Sequence, residues 1–355
     1  MFLLVLTFGL AFLLALYGVP LARQAALKYG IVDSPDGRLK HQPEPVPYLG
    51  GLAIYLAFLV SLGLTFDFRQ DVLGIVLGAT LVLLLGLIDD FGVLSPGTKL
   101  VGQLLAVFVL IKSGIRVEIA ALPEWMDLAL TVLWMLAIIN AFNLLDIMDG
   151  LSAGVALVST VFLLAVALLA GDRTLAFMLT ALAGSLLGFL RYNFHRATIY
   201  MGDAGALFLG LMLGALSMIG QYRGSHPVVL LSPALILGLP LFDLLFVMAA
   251  RLRLGLPVFR GSPDHLALRL RHLGLSVPRV TVLAYACAGG LGLIAMAVMF
   301  VDEAAAIGLV GAVAAMLTVL AAYFLRVDIR KPRTITVAVA SGPDLSERRG
   351  ERASS

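Results

Sequence analysis

The sequence has one cysteine, Cys287, and few charged side chains. A single cysteine excludes an intramolecular disulfide and a metal site built from several cysteines. Lys, Arg, Asp and Glu together make up 13% of the chain, whereas a soluble domain carries about 25%. This shortage of charge excludes an ordinary soluble domain. The net charge of +3 does not indicate nucleic-acid binding, because basic loops are normal in membrane proteins.

Long apolar runs take the place of the missing charged residues. Hydrophobic residues make up 61% of the chain, and several runs approach the roughly 20 residues that a helix needs to cross a bilayer. The pattern predicts an all-α, polytopic integral membrane helix bundle with about 10–11 transmembrane helices. The predicted spans cover residues 2–20, 48–66, 72–88, 99–113, 128–146, 151–170, 174–191, 203–220, 227–250, 279–300 and 304–325.

The ends of the predicted spans differ in charge. Most Lys and Arg residues lie in the connectors and tail that follow odd-numbered spans. Cytoplasmic connectors collect Lys and Arg, so the N-terminus is predicted to lie outside and the odd-numbered spans to end in the cytoplasm. Residues 1–326 form the predicted membrane domain. Residues 327–355 form a predicted disordered cytoplasmic tail, because they are rich in Arg, Ser and acidic residues.

Four polar side chains recur at three-residue intervals at the end of the fifth predicted span. They are Asn140, Asn143, Asp146 and Asp149. On a helix this spacing places neighbouring members on one face, about 5–6 Å apart. Exposure of that face to lipid would be unfavourable, so the stripe is predicted to face a hydrated cavity or a cation. The alternative is a helix end in water, where Asp149 simply terminates the span.

Further carboxylates lie at the same predicted membrane face. Asp89 and Asp90 end the third span, Lys99 follows in the next connector, and Asp203 opens the eighth span. Mg²⁺ sites often use one or two carboxylates together with substrate phosphates, and Lys99 would neutralise phosphate. The alternatives are interfacial charges in a turn for the pair, and a helix cap for Asp203. Together these groups predict a site for a metal and a diphosphate, a ligand that needs charge neutralisation and positioning.

These residues resemble the motifs of the polyprenyl-phosphate N-acetylhexosamine-1-phosphate transferases, or glycosyltransferase family 4. That family includes GlcNAc-1-phosphate transferases and phospho-MurNAc-pentapeptide translocases. The resemblance covers most of the chain. Its blocks here are residues 33–36 with Arg38, Lys40 and His41, the pair Gly50 and Gly51, Asp89 and Asp90 with Lys99, residues 140–151, and residues 201–205.

The resemblance implies a cytoplasmic active-site groove in the inner (plasma) membrane of a cell, and dependence on Mg²⁺ with Mn²⁺ as an alternative. The implied metal ligands are Asp203, Asn143 and Asp89. The implied catalytic carboxylates are Asp89, Asp90, Asp146 and Asp149, with Asp90 weakly favoured if a base is used. The implied substrate-binding residues are Lys99, Asn140, Asn143, His265, Arg269, Arg38, Lys40 and His41.

One motif departs from the family pattern. The family commonly carries a His-x-His-His motif in its last large loop. This chain keeps His265 and Arg269 but has Ala267 and Leu268 where histidines would stand. The departure leaves the metal site intact and the sugar specificity open.

The sequence favours transfer of N-acetylhexosamine-1-phosphate, with GlcNAc-1-phosphate preferred, from a UDP-sugar to undecaprenyl or another polyprenyl phosphate. The products would be UMP and a polyprenyl-diphosphate-sugar that initiates a cell-envelope polysaccharide such as lipopolysaccharide or teichoic acid. One alternative is the MurNAc-pentapeptide reaction of peptidoglycan synthesis. Another is a cation-coupled transporter, because transporters also carry intramembrane carboxylates. The expected partners are the UDP-sugar, the polyprenyl phosphate and the bilayer, without nucleic acid, and the apolar surface is compatible with a homodimer.

Overall fold

A computed structural model describes residues 1–33, 45–66, 70–257 and 264–327. Helices dominate these ranges, and one short antiparallel sheet joins β1 to β2. The elements, in chain order, are α1 (Phe2–Tyr29), β1 (Val32–Asp33), β2 (Val46–Pro47), α2 (Gly50–Thr65), α3 (Gln70–Asp89), α4 (Pro96–Lys112), α5 (Glu124–Leu145), α6 (Leu151–Ala170), α7 (Arg173–Asn193), α8 (Gly202–Ile219), a 3-10 helix (Pro227–Leu231), α9 (Ser232–Ile236), α10 (Gly238–Arg253), α11 (Leu266–His272), α12 (Val277–Val298) and α13 (Glu303–Phe324).

The length and apolar character of the helices make the chain a polytopic membrane bundle, as predicted. Eight helices of the described ranges are long and apolar enough to cross a membrane: α1, α3, α5, α6, α7, α8, α12 and α13. The count rises to nine if the bent segment Pro227–Arg253 is one span. It stays below the predicted 10–11 because α2 and α4 have 16 and 17 residues, fewer than the roughly 20 that cross a bilayer core.

The segment predicted as one span at residues 227–250 is broken, so that prediction is wrong in its geometry. The 3-10 helix and α9 form one arm and α10 forms the other, and the two arms meet at 75°. Pro233 and Pro240 lack an N–H donor, and Gly238 begins α10 at the break. Residues of these types weaken helical hydrogen bonding and permit sharp bends.

Helices α7 and α8 form the centre of the bundle. In each of these helices 78% of the residues in the apolar stretch are buried inside the bundle, against 11% in α13. Helix α8 packs against α2, α3 and α5, and α7 packs against α1, α2 and α6. The start of α8 lies very close to α2, where a Cβ atom at Gly51 would fall 2.2 Å from the backbone nitrogen of Gly205. Only glycine permits this approach.

The connector before α8 is held by backbone hydrogen bonds to the start of α2. Gly51 N donates to Met201 O at 2.9 Å, and Gly50 N donates to Tyr200 O at 3.0 Å. Tyr200 N in turn donates to Pro47 O of β2 at 2.8 Å. The position of the α8 N-terminus is therefore fixed from outside the helix. Residues 34–44 and 328–355 lie outside the described residues, and so do the predicted substrate-binding residues Arg38, Lys40 and His41 and nearly all of the predicted tail.

Candidate active site

Four polar side chains from four helices meet at one end of the bundle. They come from the end of α3, the start of α4, the end of α5 and the start of α8, and are Asp89, Lys99, Asn143 and Asp203. Successive helices of the bundle cross in opposite directions, so these four helix ends share one face. We call this group the Lys99 cluster. The sequence predicted that these side chains lie at one face, and the structure brings all four into contact.

The Lys99 ammonium lies at the centre of the cluster. Lys99 Nζ is 2.6 Å from Asp89 Oδ2 and 2.9 Å from Asp203 Oδ2, and it donates to Asn143 Oδ1 at 3.0 Å. Asn143 Nδ2 donates to Asp203 Oδ1 at 2.6 Å. Three oxygen atoms therefore converge on a point that already holds one positive charge.

Asp90 caps the N-terminus of α8 rather than joining the cluster. Its Oδ1 accepts from Asp203 N at 2.7 Å and its Oδ2 from Ala204 N at 3.3 Å. Free N–H groups at a helix start favour a carboxylate. Burial raises the pKa of Asp90 to about 7, and these two backbone donors oppose that rise. Because both oxygens accept from the backbone, the contacts of Asp90 favour a positioning role over the predicted base.

Gly202 makes this cap possible. Its φ is +69°, in the left-handed region, and a Cβ atom there would fall 2.6 Å from Asp90 Oδ2. Glycine adopts this backbone conformation without a steric penalty. The Gly202–Asp203 pair therefore combines a tight turn with direct contact to the capping carboxylate.

The polar stripe of the fifth span is helical only in its first half, which corrects the prediction of one continuous face. Helix α5 ends at Leu145, and Asp146 at its C-cap has φ −81° and ψ 54°. Gly150, with φ +70°, is the N-cap of α6 four residues later. Asp146 and Asp149 therefore lie on the turn between two helices, where side chains no longer follow a helical repeat.

Asn140, the first member of the stripe, contacts α4 instead of the cluster. Asn140 Nδ2 donates to Gln103 Oε1 at 2.9 Å, and Gln103 Nε2 donates to Asn140 Oδ1 at 3.4 Å. Gln103 is 1% exposed. The pair joins α4 to α5 one turn from Asn143, so these contacts of Asn140 are structural. Its predicted role in substrate binding stays a prediction.

Asp146 is half-buried and lies near the other carboxylates. Burial, followed by the negative charges of Asp203, Asp90 and Asp149, raises the pKa of Asp146 to about 8. Within the described part of the chain, its carboxylate makes no hydrogen bond. It is the member of the stripe whose oxygens remain available to an incoming group.

Asp149 contacts the connector between α7 and α8. Its Oδ2 lies 3.1 Å from His195 Nδ1 and accepts from Ala197 N at 3.1 Å. Next to it, Gly150 N donates to Asn193 Oδ1 at 3.1 Å, and Tyr285 OH donates to Gly150 O at 2.6 Å. The sequence analysis missed His195, Asn193 and Tyr285. The position of His195 and Asn193 just before the Asp203 motif was an available signal, whereas nothing local indicates Tyr285.

His265 and Arg269 are buried at α11 and contact protein groups. His265 Nδ1 lies 2.8 Å from Asp243 Oδ2, and the two side chains are 2% and 4% exposed. Arg269 donates to Phe324 O at 2.8 Å and also to Val327 O, and its guanidinium stacks on the Phe246 ring at 5.1 Å. These contacts join α11 to α10 and to the end of α13. The predicted grip of His265 and Arg269 on a sugar nucleotide stays a prediction.

The donor atoms of the Lys99 cluster fit Mg²⁺. Asp89, Asn143 and Asp203 offer only oxygen, the ligand type that Mg²⁺ prefers, and Mg²⁺ commonly takes one or two protein carboxylates and completes its shell with water and phosphate. Among the described residues, no group of three or more His, Cys, Asp or Glu side chains could hold a metal. A bound cation would therefore need ligands from a substrate. The ammonium of Lys99 contacts the same oxygens, so in the structure a positive charge already balances the two carboxylates.

Comparison with known proteins gives the family. Residues 72–221 match the family model described as glycosyl transferase family 4. A Bacillus subtilis (strain 168) protein named probable undecaprenyl-phosphate N-acetylglucosaminyl 1-phosphate transferase is 34% identical over 284 residues, which are 77% of this chain and 78% of that protein. The decaprenyl-phosphate N-acetylglucosaminephosphotransferase of Mycolicibacterium smegmatis (strain ATCC 700084 / mc(2)155) is 33% identical over 318 residues, 79% of this chain and 78% of the relative.

A second type of relative shares less of the chain. The phospho-N-acetylmuramoyl-pentapeptide-transferase of Caldicellulosiruptor bescii is 34% identical over 267 residues, 67% of this chain and 79% of the relative. The apolar helices and these relatives together make the chain a multi-pass membrane protein. The chain belongs to glycosyl transferase family 4, and its similarities lean toward the N-acetylglucosaminyl 1-phosphate transferase branch.

Proposed function

We propose that this enzyme transfers GlcNAc-1-phosphate from UDP-GlcNAc to a polyprenyl phosphate and releases UMP. The Lys99 cluster carries this proposal, because it gathers charge for a diphosphate at one end of a bundle of apolar helices. The relatives named as polyprenyl-phosphate GlcNAc-1-phosphate transferases support the choice of acceptor and sugar. The product would be a polyprenyl-diphosphate-GlcNAc.

The proposed reaction is a phosphoryl-group displacement. An oxygen of the polyprenyl phosphate attacks the phosphorus that bears the sugar, a new P–O bond forms, and the bond to UMP breaks with its electron pair leaving on UMP. A phosphate monoester is already largely ionised at neutral pH, so the attack needs little help from a base. The protein then acts mainly by positioning and by stabilising charge.

Each residue of the site has a proposed task. Asp89, Asn143 and Asp203 would hold Mg²⁺, which when bound supplies positive charge to the diphosphate. When Mg²⁺ is bound, Lys99, whose ammonium contacts the same Asp89 and Asp203 carboxylates in the structure, would turn to the diphosphate and add a second positive charge there. Asp90 fixes the start of α8 and so places Asp203. Asp146 is the carboxylate proposed to lie nearest the attacking phosphate, because its oxygens have no protein partner among the described residues.

The orientation of the enzyme follows from the distribution of basic residues. Most Lys and Arg residues flank the helix ends on the side of the Lys99 cluster, and such residues collect on the cytoplasmic side. We therefore place the cluster at the cytoplasmic face of the plasma membrane, where a UDP-sugar is available.

The test is UMP release by the purified protein. The assay contains polyprenyl phosphate and Mg²⁺, with UDP-GlcNAc or UDP-MurNAc-pentapeptide as donor, and is repeated without lipid, with EDTA, and with Asp203→Ala. Release from UDP-GlcNAc that requires lipid and metal and disappears in the variant is the expected result. Release only from UDP-MurNAc-pentapeptide would overturn the proposed GlcNAc donor. Release that survives EDTA would overturn the proposed dependence on a metal ion.

A further inference from the structure

A polar cavity of about 460 Å³ lies at the end of α7, and none of its lining residues belongs to the Lys99 cluster. It is lined by Leu190, Arg191, Tyr192, Phe194, His195, Arg196 and Thr198. We call it the α7 cavity. Its lining contains two guanidinium groups and one imidazole and no carboxylate. The cavity therefore suits a negatively charged ligand.

Within the described ranges, no carboxylate neutralises the two arginines of the α7 cavity. Among the described residues, neither Arg191 nor Arg196 forms an ion pair with a carboxylate. Arg191 lies over the Tyr192 ring at 5.9 Å, and both arginines are exposed. A third basic residue, Arg23 of α1, reaches the rim and donates from Nε to Thr198 O at 3.1 Å. Guanidinium groups in such a cluster match the oxygens of a phosphate.

The wall of the cavity is preformed by hydrogen bonds. Thr198 N and Thr198 Oγ1 both donate to Tyr192 O, at 2.9 and 3.2 Å. Tyr192 OH donates to Leu16 O of α1 at 2.9 Å. The connector thus folds back on the last turn of α7 and is tied to α1. A ligand would meet a wall that needs little further ordering, which favours binding.

Exposed apolar side chains lie on α7 and on the neighbouring helix α1. Leu187 precedes Arg191 by one helical turn, so the two share a face of α7, and Leu187 is 41% exposed. Helix α1 packs along α7 and exposes Tyr17 and Leu21, at 69% and 65%. Charge at the helix end followed by exposed apolar surface along the span is the arrangement that a membrane lipid requires: phosphate at the interface and hydrocarbon in the core.

We propose that the α7 cavity binds the phosphate of an anionic phospholipid, distinct from the polyprenyl phosphate acceptor, with Arg191 and Arg196 as its principal ligands and the exposed apolar side chains of α1 and α7 against its hydrocarbon. His195 gives this site a link to the candidate active site, because its Nδ1 lies 3.1 Å from Asp149 Oδ2. The site is separate from the Lys99 cluster, and the proposal does not depend on which sugar the enzyme transfers.

The test is a binding titration of the full-length protein in a neutral detergent. Two fluorescent probes are used separately, phosphatidylglycerol and a polyprenyl phosphate, and the proteins compared are wild type, Arg191→Gln/Arg196→Gln and Arg253→Gln. Arg253 is the matched control, since it is an exposed arginine at the end of α10 outside this cavity. We expect the double variant to bind phosphatidylglycerol about 25-fold more weakly, from about fivefold for each arginine, and the control to bind it as wild type does.

A charge-preserving variant and a soluble competitor sharpen the result. Arg191→Lys/Arg196→Lys should retain most of the binding, which separates charge from loss of folding. Unchanged binding of phosphatidylglycerol in the glutamine variant would overturn the proposal. Weaker binding of the polyprenyl phosphate alone would also overturn it, because the cavity would then serve the acceptor substrate. Displacement of the probe by UMP at an equal concentration would also overturn it, because the cavity would then serve a soluble phosphate.

Discussion

Asp203 and His265 are both ionisable residues at the start of a helix, but their surroundings differ. The Asp203 side chain is 36% exposed and pairs with the ammonium of Lys99, which side chains of two other helices also contact. The His265 side chain is 2% exposed and contacts one buried carboxylate, Asp243. Sequence motifs predicted a functional role for both residues, but their exposure and their contacts in the structure differ.

The two sets of contacts differ in whether they leave an oxygen available to a substrate. Around Lys99, three oxygens converge from different helices, so a substrate could replace or add to one contact without unfolding the bundle. Around His265, Asp243 also accepts from Leu266 N at 2.9 Å and so fixes the start of α11. A buried polar group without a partner is strongly unfavourable. We therefore expect the first arrangement to take part in the reaction and the second to hold the start of α11 in place.

The largest effect is expected from removing one charge of the Lys99 cluster. Asp203→Asn should lower the rate of UMP release about 100- to 1,000-fold, the usual effect of losing one preorganised electrostatic group. The unfolding temperature should change little, because asparagine keeps the shape of the side chain. Steady-state kinetics and thermal unfolding of the same preparation measure the two effects.

Asp127→Asn is the matched control for this variant. Asp127 lies near the first turn of α5, at the opposite end of the helix from Asn143, and its Oδ1 accepts from Ile119 N at 3.3 Å. Asparagine retains that acceptor, so activity should remain within about twofold of wild type. Equal losses in Asp127→Asn and Asp203→Asn would remove the distinction between the two ends of the bundle.

The next largest effect is expected at His265, on stability rather than on chemistry. His265→Ala leaves Asp243 buried and without its side-chain partner, which should lower the free energy of unfolding by about 3 kcal/mol. The folded fraction should keep a KM for the sugar nucleotide close to that of wild type. Thermal unfolding in detergent, together with KM measured below the unfolding transition, tests this. A raised KM with unchanged stability would return His265 to the predicted substrate-binding role.

The sequence sufficed for the helices and for the members of the Lys99 cluster. Apolar length predicts the eight long helices, and the alternation of spans places Asp89, Asn143 and Asp203 at one face. The breaks were harder to predict. The 75° bend before α10 depends on how Pro233, Gly238 and Pro240 pack against neighbouring helices, and a hydropathy window averages over all three.

Contacts between distant residues were also beyond the reach of the sequence. The pairing of Asp90 with the N–H groups of Asp203 and Ala204 joins positions 113 and 114 residues apart. The burial of His265 against Asp243 likewise depends on where α11 docks. A motif specifies which residue types are present, but the fold decides whether a carboxylate caps a helix or faces a substrate.

A smaller effect is expected at the turn that supports the cluster. Gly202→Ala places a Cβ atom 2.6 Å from Asp90 Oδ2 and strains a backbone with φ +69°. We expect a loss of about 1–3 kcal/mol in stability and about tenfold in activity as Asp203 moves. Gly308→Ala in α13 is the control, since no described atom beyond its own stretch of helix lies within 4 Å of its Cβ position. Its stability should equal that of wild type or rise slightly, and a similar loss in both variants would argue against strain at Gly202.

The smallest effect tests whether Asn140 belongs with the cluster or with the structural contacts. Asn140→Leu leaves Gln103 buried and unpaired, which should lower the free energy of unfolding by about 1–2 kcal/mol. Adding Gln103→Met should restore most of that stability, because replacing both partners by apolar groups removes the unsatisfied atoms. Activity should recover along with stability in the double variant. Recovered stability without recovered activity would place Asn140 in substrate binding, and its hydrogen bonds to Gln103 would then serve to orient a functional side chain.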